Sequence, residues 1–271
     1  MNLSTSNAQD YFNLGNICAS SGEEEGAIAN YSEAIRLAPN SATSYFNRGI
    51  SRYLIEDKEG TLADLTQAIN IKPDYAEAFC NRGVVKAELG DRQAAIVDFT
   101  ESIRLDPDNV DPYHKRGAVR ANLGDLQGVI ADYSEAIRLG DKSLGLYFGR
   151  ADAKSDLGDN QGALSDYSEA IRLYPNADTY ILRGNFKNSL GDKQGAIADY
   201  TQAISLDNNY AGAYRDRGVI NADLNLDEAR KDFEKAAELY KQQGDMENYN
   251  SIMGHANKLK LYLLFHQVDK V

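Results

Sequence analysis

Residues 76–109 read AEAFCNRGVVKAELGDRQAAIVDFTESIRLDPDN, and residues 110–143 read VDPYHKRGAVRANLGDLQGVIADYSEAIRLGDKS. Laid over one another, Phe79 falls on Tyr113 and Arg82-Gly83 on Arg116-Gly117. Leu89-Gly90-Asp91 falls on Leu123-Gly124-Asp125, Asp98-Phe99 on Asp132-Tyr133, and Ser102 on Ala136. Self-similarity at a period near 34 residues is the mark of a helical repeat array. The register runs in both directions. The glycine recurs at Gly15, Gly49, Gly83, Gly117, Gly184 and Gly218, with Ala151 in the fifth unit, at spacings of 34, 34, 34, 34, 33 and 34. Tyr31, Leu65, Phe99, Tyr133, Tyr167, Tyr200 and Phe233 hold the later large apolar position. Three residues on stand Ala34, Ala68, Ser102, Ala136, Ala170, Ala203 and Ala236.

Each unit reads as two helices. Tyr45, Gly49 and Tyr53 recur at helical spacing in the first, and Leu62, Leu65, Ala68 and Ile69 stripe the second. Gly22, Gly90, Gly124, Gly158 and Gly191 punctuate the pair, since glycine takes the left-handed conformation that ends a helix. Asp91, Asp125, Asp159 and Asp192 follow as caps for the next helix, offering a side-chain oxygen to its free amides. Pro39, Pro73, Pro107 and Pro175 close the second helix. Glu56 stands at the turn glycine of the second unit, so that turn is expected to differ. Asp141 and Asn208 replace the closing proline, and the last pair has a shorter turn at Leu224-Asn225-Leu226.

The pattern resembles the tetratricopeptide repeat, from about residue 8 to residue 243. Tyr11, Tyr45, Phe79, Tyr113, Tyr147, Tyr180 and Tyr214 stand where that family often carries tryptophan, and the chain has no Trp. The resemblance implies an all-α fold, a right-handed α-solenoid of helix-turn-helix repeats. It implies seven repeats in 1–243 (approximately 8–41, 42–75, 76–109, 110–143, 144–176, 177–210 and 211–243), with a capping helix and tail in 244–271. It also implies a concave face lined by the first helices. Carried over position by position, that face takes Phe12, Asn16, Phe46, Ile50, Tyr53, Leu54, Cys80 and Val84 from the early repeats. Later repeats supply His114, Phe148, Asp152, Asp156, Asn185, Asn188, Arg215 and Asp223, and Glu77, Glu88, Asp111 and Asp178 add acid. The groove is therefore expected to be apolar at its start and acidic later. The family's carboxylate clamp is incomplete: Asn16 and Asn47 occupy its two asparagine positions, but Phe12, Glu77 and Asn81 stand where it needs bases.

Composition agrees with a soluble chain. Of its 271 residues, 26% are charged, and the formal net charge is −12. The pI is about 4.8 and the mean hydropathy −0.51. An acidic surface repels phosphate backbones, so nucleic acid is not expected as a partner. No apolar run approaches the roughly 20 residues of a membrane span. The start, 1–10, is polar and lacks the regions of a secretory signal, so a cytoplasmic location is expected. Cys18 and Cys80 form no motif and read as packing residues. His114, His255 and His266 show no metal-ligand spacing among themselves or with the cysteines. The glycines are punctuation, not a phosphate loop. The repeats leave only 244–271, too little for a catalytic domain. No enzyme, cofactor or metal is expected.

One charged pair recurs. Arg48, Arg82, Arg116, Arg150, Arg183 and Arg217 precede the glycine position, and Asp64, Asp98, Asp132, Asp166, Asp199 and Asp232 precede the later aromatic. The first unit lacks both, with Leu14 and Asn30 instead. Joint absence points to mutual dependence, and so to structural Arg–Asp pairs within or between repeats. After a turn at 242–245, Met246, Tyr249, Ile252, Met253, Ala256 and Leu259 read as one side of a capping helix. Leu261-Tyr262-Leu263-Leu264-Phe265 is apolar nearly all round, fit for packing in cis or for a homodimer contact.

The function expected is that of a protein-interaction scaffold or adaptor. It holds a partner segment that is apolar and basic. Two other readings stand beside it: an assembly factor acting through self-association of the C-terminal segment, and a regulatory subunit of an enzyme complex. The repeat wording at 195–200 is similar to bacterial, particularly cyanobacterial, repeat proteins.

Overall fold

A computed structural model of the protein describes the backbone of residues 3–268 and the side chains of residues 7–259. The described residues form fifteen helices and no strand. The chain divides into two compact units, Met1–Ala153 and Lys154–Val271. The first holds α1 (Leu3–Ser20), α2 (Glu24–Leu37), α3 (Ala42–Leu54), α4 (Lys58–Ile71), α5 (Ala76–Glu88), α6 (Arg92–Leu105), α7 (Val110–Leu123) and α8 (Leu126–Arg138). Next, α9 (Leu144–Asp156) runs over the division. The second unit continues with α10 (Asn160–Leu173), α11 (Ala177–Ser189), α12 (Lys193–Leu206), α13 (Ala211–Leu224), α14 (Leu226–Gln242) and α15 (Met246–Val268). In the first unit α1 to α8 pack in consecutive antiparallel pairs, each second helix also touching the next first helix. In the second unit α10 to α14 each pack on the helix that follows.

The local signals explain the helix ends. Asp91, Asp125, Asp159 and Asp192 each accept a hydrogen bond from the backbone amide three residues on, at 2.9–3.1 Å, and Asp57 does the same. Each such cap stabilises a helix by about 1 kcal/mol. Glu56 departs from the expectation in an informative way. Its φ is +65°, the left-handed conformation that Gly90 takes with φ +89° in the next repeat. The turn keeps its shape, and a side chain bears the steric cost. The short turn of the last pair works because Asn225 serves both helices. Its N–H bonds Asn221 at 2.7 Å, ending α13, and its side chain accepts from Glu228 N–H, starting α14.

Within a pair, the glycine on the first helix admits the aromatic ring of the second. A Cβ on Gly117 would lie 2.4 Å from Tyr133 Cε1. That contact lets Tyr133, Phe99, Tyr200 and Phe233 be buried in their units. At the end of the second unit, Ile252 and Ala256 of α15 are buried with Phe233, Ala237, Leu239 and Tyr240 of α14, while Tyr249, Met253 and Leu259 pack around them. Met246 stays largely exposed. The apolar run 261–265 lies outside the residues whose side chains are described.

The recurrent charges form a ladder. Arg48 grips Asp64 through Nε and Nη2 at 2.8 and 2.6 Å, and Arg82–Asp98, Arg116–Asp132, Arg183–Asp199 and Arg217–Asp232 repeat the fork. Both partners belong to one repeat. The third nitrogen, Nη1, reaches back to a hydroxyl of the preceding repeat: Ser32, Thr66 and Thr100 in the first unit, Ser168 and Thr201 in the second. A second cation one turn further along the first helix completes the carboxylate's partners. Arg52, Lys86 and Arg120 do this in the first unit, Lys154 and Lys187 in the second. The aspartates are buried, and several arginines also lie over the aromatic that begins their helix, as Arg82 does over Phe79. With its forks filled and its carboxylates buried, the ladder is structural.

Candidate binding face

The first unit brings several of the expected residues together on the faces of α1, α3 and α5. Phe12 on α1 is half-buried, its ring 5.8 Å from that of Tyr31. Asn16, one turn on and exposed, accepts from Tyr31 Oη at 2.8 Å and from Asn47 Nδ2 at 3.0 Å. The two asparagines thus meet across repeats. Asn16 keeps its own Nδ2 hydrogens, and Asn47 keeps its carbonyl, for another partner. On α3, Phe46 is half-buried with its ring 4.9 Å from that of Tyr75. Ile50, Tyr53, Asn81 and Val84 surround a notch of about 20 Å³, floored by Thr61 and Leu65. That is room for about one water. Leu54 projects outward, 60% exposed.

Tyr53 donates its hydroxyl to Glu88 Oε1, and Glu88 also holds Lys58 Nζ at 2.9 Å. The Tyr53 bond and then Lys58 hold the Glu88 carboxyl below the usual range, and the same bond raises the Tyr53 phenol. Lys58 escapes a reading of the sequence because it stands at the start of α4, 30 residues from Glu88, and only stacking joins them.

The other acids are scattered. Glu77 on α5 is exposed. Asp111 on α7 is exposed and paired with Lys115 at 2.9 Å. Phe148, half-buried, and Asp152, exposed, lie on α9. Asp178 belongs to the second unit, where it accepts from Tyr210 Oη at 2.9 Å. There too Asn185 accepts from Tyr200 Oη at 2.7 Å, as Asn16 does from Tyr31, while Arg215 pairs with Asp216 and Asp223 with Lys193. Cys80 is not on the face: it is buried with Ala95, Phe99 and Val119, and burial pushes its thiol up to about 11. The helical register pointed to the right side of α5, but the neighbouring α7 covers the position.

What the face offers is shape, apolar contact and amide hydrogen bonds. Among the described residues no group of three or more His, Cys, Asp or Glu could hold a metal ion. No described helix is long and apolar enough to cross a membrane.

Comparison with known proteins identifies the family and the fold. The family model of the ETO1 C-terminal domain matches residues 4–181, and that of the tetratricopeptide repeat matches residues 177–210. No curated protein matches the chain. Among solved structures, the C-terminal part of a TPR repeat-containing protein from Cytophaga hutchinsonii aligns with a TM-score of 0.73 at 15% identity, covering 88% of this chain and 98% of that one. A tetratricopeptide repeat protein from Parabacteroides merdae aligns at 0.59 and 19% identity, covering 92% and 99%. YrrB, described as a TPR protein with an unusual peptide-binding site, aligns at 0.56 and 20% identity, covering 72% and 97%. At such identities the likeness is one of fold.

Proposed function

Because the chain belongs to the ETO1 C-terminal domain family and is built of tetratricopeptide repeats, we propose that it is a non-catalytic scaffold or adaptor that binds a peptide or partner segment on the first helices of its early repeats. One observation carries the reading. Phe12, Phe46, Ile50, Tyr53 and Val84 stay partly exposed on α1, α3 and α5, and α1 and α3 also carry the linked amides of Asn16 and Asn47. Binding grooves of this kind use a few apolar anchors, with polar groups that fix the backbone of the ligand. YrrB, with the same fold and a described peptide-binding site, supports the reading. Glu77, Asp111 and Asp152 give the first unit an acidic margin, and in the second unit Asp178 stands by itself beside Tyr210. The partner is accordingly an apolar segment followed by Lys or Arg. The proposal takes 1–243 as seven repeats, 244–271 as their cap, and the cytoplasm as the place of action.

Affinity capture from native lysate tests this with wild type and a Phe46→Ala/Tyr53→Ala variant. A partner held by wild type and lost from the variant, with the variant's helicity unchanged, supports the proposal. A partner retained equally by both contradicts it.

A further inference from the structure

Glu24 is a carboxylate without a partner. Its Oε2 is the single buried side-chain oxygen or nitrogen, among the described residues, that makes no hydrogen bond. Buried polar atoms are nearly always paired, and a charged one left unpaired is the costliest to bury. The side chain as a whole is only half-buried, so the carboxylate is within reach of an arriving cation.

The other repeats show what stands at this position. Glu24 opens α2, as Lys58, Arg92, Leu126, Asn160, Lys193 and Leu226 open the other second helices. It is the only acid among them. Where the position carries lysine it clips one repeat to the next. Lys58 Nζ reaches Glu88 of the following first helix at 2.9 Å, and Lys193 reaches Asp223 at 2.7 Å. The counterpart of Glu88 on α3 is Leu54, apolar and 60% exposed. The first two repeats therefore lack the clip: an acid stands in place of the base, and nothing answers it.

No cation of the surrounding helices is free for Glu24. The helix α1 holds none. On α2 Arg36 pairs with Glu33, on α3 Arg48 and Arg52 both pair with Asp64, and on α4 Lys58 is held by Glu88. Glu23 is exposed beside it, and so is Glu25. The carboxylate also lies within electrostatic reach of the linked amides. Burial raises the Tyr31 phenol, Asn47 lowers it and the Glu24 charge raises it again, and the same hydroxyl bonds Asn16 at 2.8 Å.

We propose that Glu24 receives a lysine or arginine of the bound partner segment, its ammonium or guanidinium on the carboxylate, with the apolar anchors alongside on Phe12, Phe46 and Ile50. The inference rests on the reading of this face as a binding site and gives that site a direction. The segment runs from its apolar residues on α3 to its base at the turn between α1 and α2. The incoming cation does for Glu24 what Lys58 does for Glu88. A neutral side chain at the same place leaves the carboxylate unpaired, and that difference selects the basic residue. Asp111, by contrast, already holds Lys115.

A double-mutant cycle on the full chain tests the proposal. The probes are peptides selected from a random library on wild type, each also made with its basic residue replaced by norleucine, which keeps an alkyl stem and drops the charge. On wild type the replacement is expected to weaken binding about tenfold or more, the effect of losing a hydrogen bond between charged groups. On Glu24→Gln it is expected to cost nothing, because the lost charge has no counterpart there. Glu24→Leu, which takes the residue that opens α8 and α14, is expected to give the same result by a second route. Glu24→Lys is expected to prefer the peptide whose base is replaced by Glu, an inversion that a purely structural Glu24 would not produce. Two results overturn the assignment and leave the binding face standing: peptides that need Phe46 and Tyr53 but carry no base, or peptides that lose equally on wild type and Glu24→Gln. In either case the carboxylate is met by water alone. Peptides that bind without Phe46 and Tyr53 overturn the face, and the assignment of Glu24 with it.

Discussion

Asp98 shows what one side chain does in this protein. Buried beneath α5, it accepts from Arg82 through two nitrogens and from Lys86 at 2.7 Å. Removing it leaves two cations facing a buried gap, and breaking a buried pair costs about 3–5 kcal/mol. Asp98→Ala should therefore lower the denaturation midpoint strongly, whereas Glu59→Ala, on an exposed position of α4, should change it little. Equal and small effects would show that the ladder is not structural. Glu56 allows the opposite experiment. Glycine bears no steric penalty at φ +65°, so Glu56→Gly should stabilise the protein by about 1 kcal/mol, read from the same denaturation curves. The Arg–Asp pairs were legible in the sequence because two ionic types recur in fixed register and vanish together at Leu14 and Asn30. The hydroxyl bonds of Ser32, Thr66 and Thr100 shared that register but not the visibility, since Ser and Thr are as common on open helix surfaces as at buried contacts. Likewise, the second cations were hidden among ordinary surface lysines and arginines.

The helix pair is the unit that the sequence displays most clearly. Its glycine–aromatic contact, its capping aspartates and its left-handed turn each leave a residue type at a fixed place. Periodicity assigns a side to each helix but not the neighbour that lies there, and Cys80, buried under α7, is where that difference shows. The last pair depends on α15. Ile252 and Ala256 cover Phe233, Ala237 and Tyr240 of α14, the kind of apolar repeat face that needs a cover. Truncation after Gly244 should expose it and produce aggregation or a loss of cooperative unfolding, seen by light scattering and circular dichroism. A truncated chain that stays monomeric and equally stable would remove α15 from the role of cap. The dispersed acids Glu77, Asp111 and Asp152 were legible only as positions. Which of them carries a local cation, as Asp111 does, depends on a side-chain contact that spacing alone did not single out.

Across the whole protein, stabilising and surface residues fall in different places. The buried charges and the glycine–aromatic contacts stabilise the repeats, while the proposed function leaves the first-helix face of the early repeats for a partner. With a net charge of −12, the chain attracts basic segments at a distance. Reversing Asp111 and Asp152 to Lys should therefore slow association more than it speeds dissociation, and added salt should mask the effect. Stopped-flow measurements at two ionic strengths would separate the two rates. The most direct measurement begins with a random-peptide library selected on the wild-type chain. The selected peptides are then titrated calorimetrically into wild type and Phe46→Ala/Tyr53→Ala. The account predicts peptides with one or two large apolar residues followed by Lys or Arg, weakened by about 2 kcal/mol or more in the variant while helicity is unchanged. Peptides that bind both proteins with equal affinity would contradict it.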